Sequence, residues 1–291
     1  MERVGVVVHP TRPVLDALEV VEGWTTDHGV ELVQISAGQQ PPVAAPGEVG
    51  ANDLIVAIGG DGTILKALHA SSGKRTPVLG VAYGSLGALT AVPVDALWAA
   101  LDRFAAGEWR ARELPALAIR ADEARIACAV NDLVVARGRG TQLLLDVCVD
   151  GELYARLAGD GVVVATPLGS SAYSMAAGGS LLADGAEAFV CTPLAMHGGC
   201  APPLVIGGGG EVTLEVHPGH SGFYVDVDGF AVETDARQFA VTREHPYATL
   251  VALDDARTSF PALRARGLLA DSPRVLGQDR HAARMASQAD A

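Results

Sequence analysis

The sequence predicts an α/β N-terminal domain followed by a β-rich C-terminal domain. Three observations carry this. Up to residue 106, short β-branched runs alternate with stretches of helical spacing. From about Trp109, strand-like stretches recur with little helix between them. The chain has 291 residues, 49% of them hydrophobic and 19% charged, enough to bury two cores of ordinary size. Alternating strand and helix favours a parallel sheet with helices on its faces, whereas repeated short strands favour an antiparallel sheet or sandwich.

The elements follow in order. Val4–His9 is a short apolar run of the kind that forms a strand covered on both faces. Val14–His28 has apolar residues at helical spacing, Glu31–Ile35 is a second strand, and Pro41, Pro42 and Pro46 mark a loop. Leu54–Ile58 is a third strand and runs into Gly59-Gly60-Asp61-Gly62-Thr63, with a helix predicted over Ile64–Ser71. Val78–Val81 is another buried strand, followed by a second glycine-bearing turn, Gly84-Ser85-Leu86-Gly87, and an amphipathic helix over Val94–Ala106. The second texture predicts strands at Glu113–Ala121, Arg125–Ala136, Gln142–Val149, Glu152–Gly159 and Gly161–Ala165. A Gly/Ala-rich helix at Ser171–Gly178 interrupts them. Strands then return at Phe189–Thr192, Leu204–Ile206, Glu211–Val216, Tyr224–Val227 and Gln238–Thr242. The expected division is therefore an α/β domain over 1–106, a β-rich domain over 107–255, a C-terminal helix within 256–269, and a polar, disordered tail over 270–291.

Composition narrows the function classes. A net charge of −13 argues against a non-specific nucleic-acid binder, whose footprint would be basic. A polyanionic substrate would have to be held locally, by backbone amides, a few cations or a divalent metal. The four cysteines, Cys128, Cys148, Cys191 and Cys200, form no C-x-x-C pair. There is no cleavable signal pattern and no apolar run of about 18 residues. The expectation is a cytoplasmic protein with free thiols and no membrane partner.

The run Leu54–Leu65 reads as strand, turn and helix. Glycine leaves no Cβ to block a close ligand, and the start of the helix presents free N–H groups at a positive dipole end. Phosphate oxygens suit such a place. Asp61 sits at the carboxyl end of a strand, where open α/β sheets bind ligands. A carboxylate there can take a proton from a substrate hydroxyl or help to hold Mg²⁺. The alternative is a tight turn with Asp61 capping the helix.

With these residues the chain resembles the NAD kinase family; diacylglycerol and sphingosine kinases share the Gly-Gly-Asp-Gly-Thr element. Three more segments favour NAD kinases. Gly80–Thr90 is similar to their G-I-N-x-G-x-L-G-F-L-T stretch, and Asn131-Asp132 stands where they have N-E or N-D. Asp160–Ser174 with Ala177-Gly178-Gly179 is similar to D-G-L-I-V-S-T-P-T-G-S-T-A-Y-S…A-G-G, which the lipid kinases lack. The resemblance covers roughly residues 50–230.

It implies a Rossmann-like parallel sheet in the first domain, with the site between the domains. It implies transfer of the γ-phosphoryl of ATP, or of polyphosphate, to the adenosine 2′-hydroxyl of NAD, with Mg²⁺. Carried over by position, Asp61 is the base or metal-organising carboxylate, and Gly59, Gly60, Gly62 and Thr63 line the phosphates. Asn131, Asp132, Asp160, Ser171, Ala172 and Tyr173 contact the dinucleotide. It also implies a homodimer or homotetramer with sites near subunit contacts.

The sequence departs from the family pattern at several places. Ala82 replaces Asn, Ala88 replaces Phe, Leu168 replaces Thr or Ser, Ala176 replaces Ser, and Ala201-Pro202 replaces Phe-Arg. These changes remove polar or aromatic groups that could touch substrate. They leave open a kinase of another nucleoside or small polyol, or a non-catalytic NAD(P)-binding regulator. His217 and His220 lack Cys or Glu at ligand spacing and read as a surface turn. Asp226-Val227-Asp228-Gly229 reads as a β-turn with glycine at its corner; a cation held by its two alternating carboxylates is the alternative.

Overall fold

The computed structural model describes residues 1–12, 14–83, 87–140, 142–217, 222–253 and 259–278. It divides into two compact units, Met1–Asp255 and Ala256–Ala291.

The first unit begins with the alternating pattern. Strand β1 (Arg3–Val8) leads to helix α1 (Leu15–His28), β2 (Glu31–Gln34), β3 (Leu54–Gly59), α2 (Asp61–Ser71) and β4 (Val78–Ala82). A two-residue β5 (Val92–Pro93), a 3₁₀ turn and α3 (Leu97–Ala105) follow. The four main strands pair in parallel in the order β4-β3-β1-β2. Both faces of this sheet are covered, which is why its strands are continuously apolar. Val4, Val6, Val8, Val56 and Ile58 pack with α1 and α3. Val7, Ile55 and Ala57 pack with Ile64, Leu65 and Leu68 of α2.

The β-rich part adds β6 (Arg110–Ala121), β7 (Ala124–Ala129), β8 (Asp132–Arg137), β9 (Leu143–Val149), β10 (Glu152–Gly159) and β11 (Gly161–Ala165). A 3₁₀ turn and the short α4 (Tyr173–Ala176) precede β12 (Ala188–Leu194), β13 (Leu204–Gly207), β14 (Glu211–His217), β15 (Phe223–Val227), β16 (Phe230–Val232) and β17 (Gln238–Ala252). One antiparallel sheet has the order β13-β12-β11-β8-β15-β16. Its inner face, with Val162, Val164, Phe189 and Cys191, meets Leu145, Val147, Leu214 and Phe239 of the other sheet. The expected Rossmann-like sheet and β-rich half are therefore both present.

Three elements differ from expectation for physical reasons. The strand expected over Arg125–Ala136 is broken at Val130-Asn131, whose backbone groups are engaged elsewhere, as described below. The helix expected from Ile64 begins at Asp61, so Asp61, Gly62 and Thr63 form its first turn. Strand β17 runs fifteen residues, far past Thr242. Its first part pairs with β14, and Leu250 near its end pairs in parallel with Val78 of β4. One long strand thus joins the parallel sheet to an antiparallel one.

In the second unit the helix expected within 256–269 is α5 (Phe260–Ala265). It stops because Gly267, at φ 73, lets the chain reverse and the Leu268 N–H reach the Leu263 carbonyl. The tail expected to be disordered over 270–291 is helical at 273–278, where the Leu276 N–H donates to the Ser272 carbonyl at 3.1 Å, and lies outside the described residues beyond 278. No helix among the described residues is long and apolar enough to cross a membrane. Of the cysteines, all free, Cys191 is buried and its thiol is pushed up to about 12 by that burial, while Cys200 is exposed.

Candidate active site

The glycine turn lies where the strand order reverses. β2 sits on one side of β1 and β3 on the other, so a crevice opens between the carboxyl ends of β1 and β3. The His9 N–H donates to the Ile58 carbonyl at 3.0 Å across its floor. Gly60, extended at φ −101 and ψ −174, precedes α2, and its carbonyl accepts from Thr63 and Ile64 at 2.9 and 3.2 Å. The N–H groups of Asp61 and Gly62 come before these bonds, where a helix offers no carbonyl partner, and lie at its positive dipole end. The space over Gly60 and Gly62 is open, with no atom within 4 Å of where a Cβ would stand. Thr63, by contrast, is buried with its hydroxyl beneath Gly59, itself buried.

Asp61 is half-buried and held from outside its own helix. Its Oδ2 accepts from the Ala88 N–H and its Oδ1 from the Leu89 N–H, each at 3.0 Å. Each oxygen keeps a further lone pair for a proton or cation. A Cβ at Gly87 would lie 2.1 Å from Asp61 Oδ1, so only glycine lets the two chains approach. The second glycine-bearing segment is thus a clamp on Asp61; its residues Gly84, Ser85 and Leu86 lie outside the described residues.

Asn131 and Asp132 sit at the break between β7 and β8. The Asn131 carbonyl accepts from the Thr166 N–H at 2.9 Å, and the Val130 carbonyl from the Thr166 hydroxyl at 2.6 Å. A Cβ at Gly169 would stand 2.1 Å from the Asn131 carbonyl oxygen, which explains the glycine in Thr166-Pro167-Leu168-Gly169. The amides of Val130, Asn131 and Asp132 donate to the Asp228 carboxylate at 2.8, 2.7 and 3.1 Å. Asp228 also accepts from His69 Nε2 at 2.7 Å, and His69 Nδ1 is 2.9 Å from the Tyr247 hydroxyl. Asp228 does make the expected turn, at φ 52 beside Gly229 at φ 77, but its carboxylate points inward and is fully buried. It holds the Asn131 loop together with α2, in whose last turn His69 lies.

Asp132 is buried, and its carboxyl is pushed up to about 7, first by that burial and then by Asp228 and Asp226. Near neutrality it can both donate to and accept from a hydroxyl.

Asp160 lies at the other end of the same strands. Ala165 pairs with Asp132 and Gly161 with Ala136, which puts Asp160 about 16 Å from Asp132 at 3.3 Å per residue. Arg137 Nε donates to Asp160 Oδ1 at 2.5 Å. Both line a cavity of about 390 Å³ together with Arg139, Tyr173, Leu194 and Tyr224. That volume is within the range of small-molecule sites. Tyr173 and Tyr224 are 45% and 47% exposed. Ser171 and Ala172 precede Tyr173; Ala172 is exposed, and the Ser171 hydroxyl donates to the Leu168 carbonyl at 3.0 Å.

Two cationic side chains, Arg12 and Lys66, and the imidazole of His9 lie at the crevice and carry no sequence signature. Arg12 Nη1 donates to the Tyr83 carbonyl at 2.9 Å, and the Tyr83 N–H donates to the Gly59 carbonyl at 3.2 Å. Lys66 Nζ lies 5.3 Å from the centre of the Phe230 ring. The His9 pKa is lowered by burial and then by Arg12 and Lys66. No three His, Cys, Asp or Glu residues converge as a metal site among the described residues.

The departing residues fall largely outside the open space. Leu168 packs against the cluster of Ile64, Leu65, Leu68 and Val130, and Ala82 is buried opposite Gly59 in the β3–β4 pair. Ala88 acts through its backbone. Ala176 and Pro202 are exposed, and the Pro202 carbonyl accepts from the Tyr154 hydroxyl at 2.5 Å. His217 lies 3.6 Å from Asp146, while His220 is outside the described residues.

Comparison with known proteins gives one family. Residues 44–109 match the model of the ATP-NAD kinase N-terminal domain and residues 130–241 that of the ATP-NAD kinase C-terminal domain. An NAD kinase of Moorella thermoacetica is 32% identical over 88% of this chain and 86% of its own. One of Heliobacterium modesticaldum is 36% identical over 79% of this chain and 85% of its own. In fold, the chain is similar to yeast NADH kinase complexed with NADH, with a TM-score of 0.77 at 21% identity over 94% of this chain and 89% of that one. It is also similar in fold to an Archaeoglobus fulgidus NAD kinase in complex with ATP, with a TM-score of 0.71 at 22% identity over 90% and 97%.

Proposed function

The chain belongs to the NAD kinase family, and on that premise we propose that it transfers the γ-phosphoryl of ATP to the adenosine 2′-hydroxyl of NAD, giving NADP. The observation that carries this reading is Asp61, held by two amides at the edge of the open space over Gly60 and Gly62. Phosphoryl transfer needs positioning and charge neutralisation more than covalent catalysis. Here the amides of the first α2 turn receive phosphate oxygens, and Arg12 and Lys66 supply local positive charge in a strongly acidic protein. Asp61 accepts the proton of the attacking hydroxyl as its oxygen bonds to the γ-phosphorus and the bond to the β-phosphate oxygen breaks, releasing ADP.

Mg²⁺ is bound in such sites by one or two carboxylates and the substrate's phosphates. The residues present fit this: Asp61 would be its protein ligand, and when bound it neutralises charge developing on the phosphates. Polyphosphate is the alternative donor, since the turn reads phosphates and not a base.

Asn131 and Asp132 present an amide and a half-protonated carboxyl to the acceptor's ribose or carboxamide. Asp160 and Tyr173, at the far strand end, receive another part of the dinucleotide. A homodimer or homotetramer is supported by the exposed Tyr173 and Tyr224 beside that cavity. We place the protein in the cytoplasm, supported by its four free cysteines. The reading divides the first unit into an α/β part to residue 106 and a β-rich part from 107.

The test is purified protein incubated with ATP or polyphosphate, Mg²⁺ and a panel of NAD, NADH, nucleosides and small polyols. The reading expects NADP as the main product. Turnover of another acceptor with none of NAD would replace it, and tight NAD binding without turnover would make the protein a regulator.

A further inference from the structure

We infer that Asp228 and His69 form a positioning pair that sets the Asn131–Asp132 loop against the helix carrying Asp61, and so governs acceptor use. The inference deepens the proposed function and rests on it. Asp228 is 98 residues from Val130 in sequence, yet its carboxylate accepts from three consecutive amides of that loop. Val130 and Asn131 leave the sheet at this point, breaking the strand expected over Arg125–Ala136. A fully buried carboxylate is costly unless every lone pair is used, and here the fourth bond comes from His69. His69 is eight residues after Asp61 on one rigid helix, about 12 Å along its axis. The Asp228–His69 bond therefore fixes how the acceptor loop and the catalytic helix are set along and around one another. Tyr247, on β17, holds the other nitrogen of the same imidazole and fixes the ring's orientation.

Neither residue borders the open space over Gly60 and Gly62, so their effect should fall on the acceptor. His69→Leu removes the donor while keeping an apolar body. His69→Gln puts an amide N–H at similar reach. Asp228→Asn keeps shape and tolerates the positive φ, but turns one acceptor into a donor facing the loop's N–H groups. The experiment measures kcat and KM for NAD and for ATP, with amide hydrogen exchange at residues 130–132, in the full chain.

The pair predicts that His69→Leu and Asp228→Asn lower kcat/KM for NAD by about 10- to 100-fold, the scale of a small displacement of reacting groups. It predicts faster exchange at 130–132 with the sheet amides still protected, a smaller change in KM for ATP, and recovery of most activity in His69→Gln. Faster exchange with unchanged kcat/KM in His69→Leu would reduce the pair to a purely structural role and overturn the inference. Unchanged exchange would overturn it as well. His69 is partly exposed and at a helix end, so its variants remain testable should Asp228→Asn fail to fold. Wild-type protein without turnover of NAD would instead sink the proposed function; the pair would then be tested by exchange at 130–132 and NAD affinity, and loss of neither in His69→Leu would overturn it too.

Discussion

The two halves of the site are built in opposite ways. The donor half is local: Gly59 to Thr63 are consecutive, and the helix that follows supplies the amides. Its distant supports are few: the Ala88 and Leu89 amides on Asp61, the Tyr83 amide on the Gly59 carbonyl and, at the far end of α2, Asp228 on His69. The acceptor half is assembled from afar. Asn131 and Asp132 owe their places to Thr166, Gly169, Asp228 and, through α2, His69. A phosphate grip needs backbone shape, which a short motif can encode. An acceptor must be presented to that grip in one orientation, and this takes contacts between distant segments.

Substitutions in each half should separate these designs. The largest effect is expected for Asp61→Asn. Loss of a general base costs about 10²- to 10⁴-fold in rate, so kcat should fall by that much while thermal unfolding moves little.

Asp132 comes next, through pH. Its carboxyl is raised to about 7, so ionising it in the folded protein costs stability. That cost is absent below the ordinary carboxylate range, grows as pH rises through it, and is complete above about 7. Asp132→Asn should therefore raise stability above neutrality by up to about 4 kcal/mol and converge on wild type only once pH falls below the ordinary carboxylate range. Unfolding midpoints of both proteins across pH would show this, and a constant difference would remove the assigned cause. Activity should fall in the same variant.

Gly169→Ala should cost about 1–3 kcal/mol by overpacking against the Asn131 carbonyl. It should also raise KM for NAD more than KM for ATP, in contrast to any change in the glycine turn. Leu168→Thr, which restores the family's residue, should lose about 1–2 kcal/mol of apolar burial, read by denaturant unfolding, with kcat kept. The smallest effect is expected for Lys66→Ala, a rise of severalfold in KM for ATP that weakens as salt screens the charge.

The alternation of strand and helix before residue 106 was legible because buried parallel strands and amphipathic helices have distinct periods. The glycine turn was legible for the same local reason. The sequence marks Asp228 as a turn residue, or as one of two carboxylates for a cation, and not as a clamp, because the positive φ of Asp228-Gly229 is a local property while its carboxylate's partners are almost a hundred residues away. His69 had no signal at all beyond lying on a helix. The departures at Ala82 and Leu168 looked like losses from a pocket. Both side chains are in or against the core, where an apolar residue is a gain. The length of β17 was hidden because its pairing lapses after Glu244 and resumes at Ala248, where the strand crosses to β4 of the parallel sheet.

The central claim is that Asp61 drives phosphoryl transfer to NAD at this crevice. The most direct measurement is the initial rate of NADP formation from ATP and NAD by wild type and Asp61→Asn, with NAD affinity measured on both. The account predicts rapid NADP formation by wild type, near-complete loss in the variant, and similar NAD binding in the two. Equal rates in both proteins would contradict it.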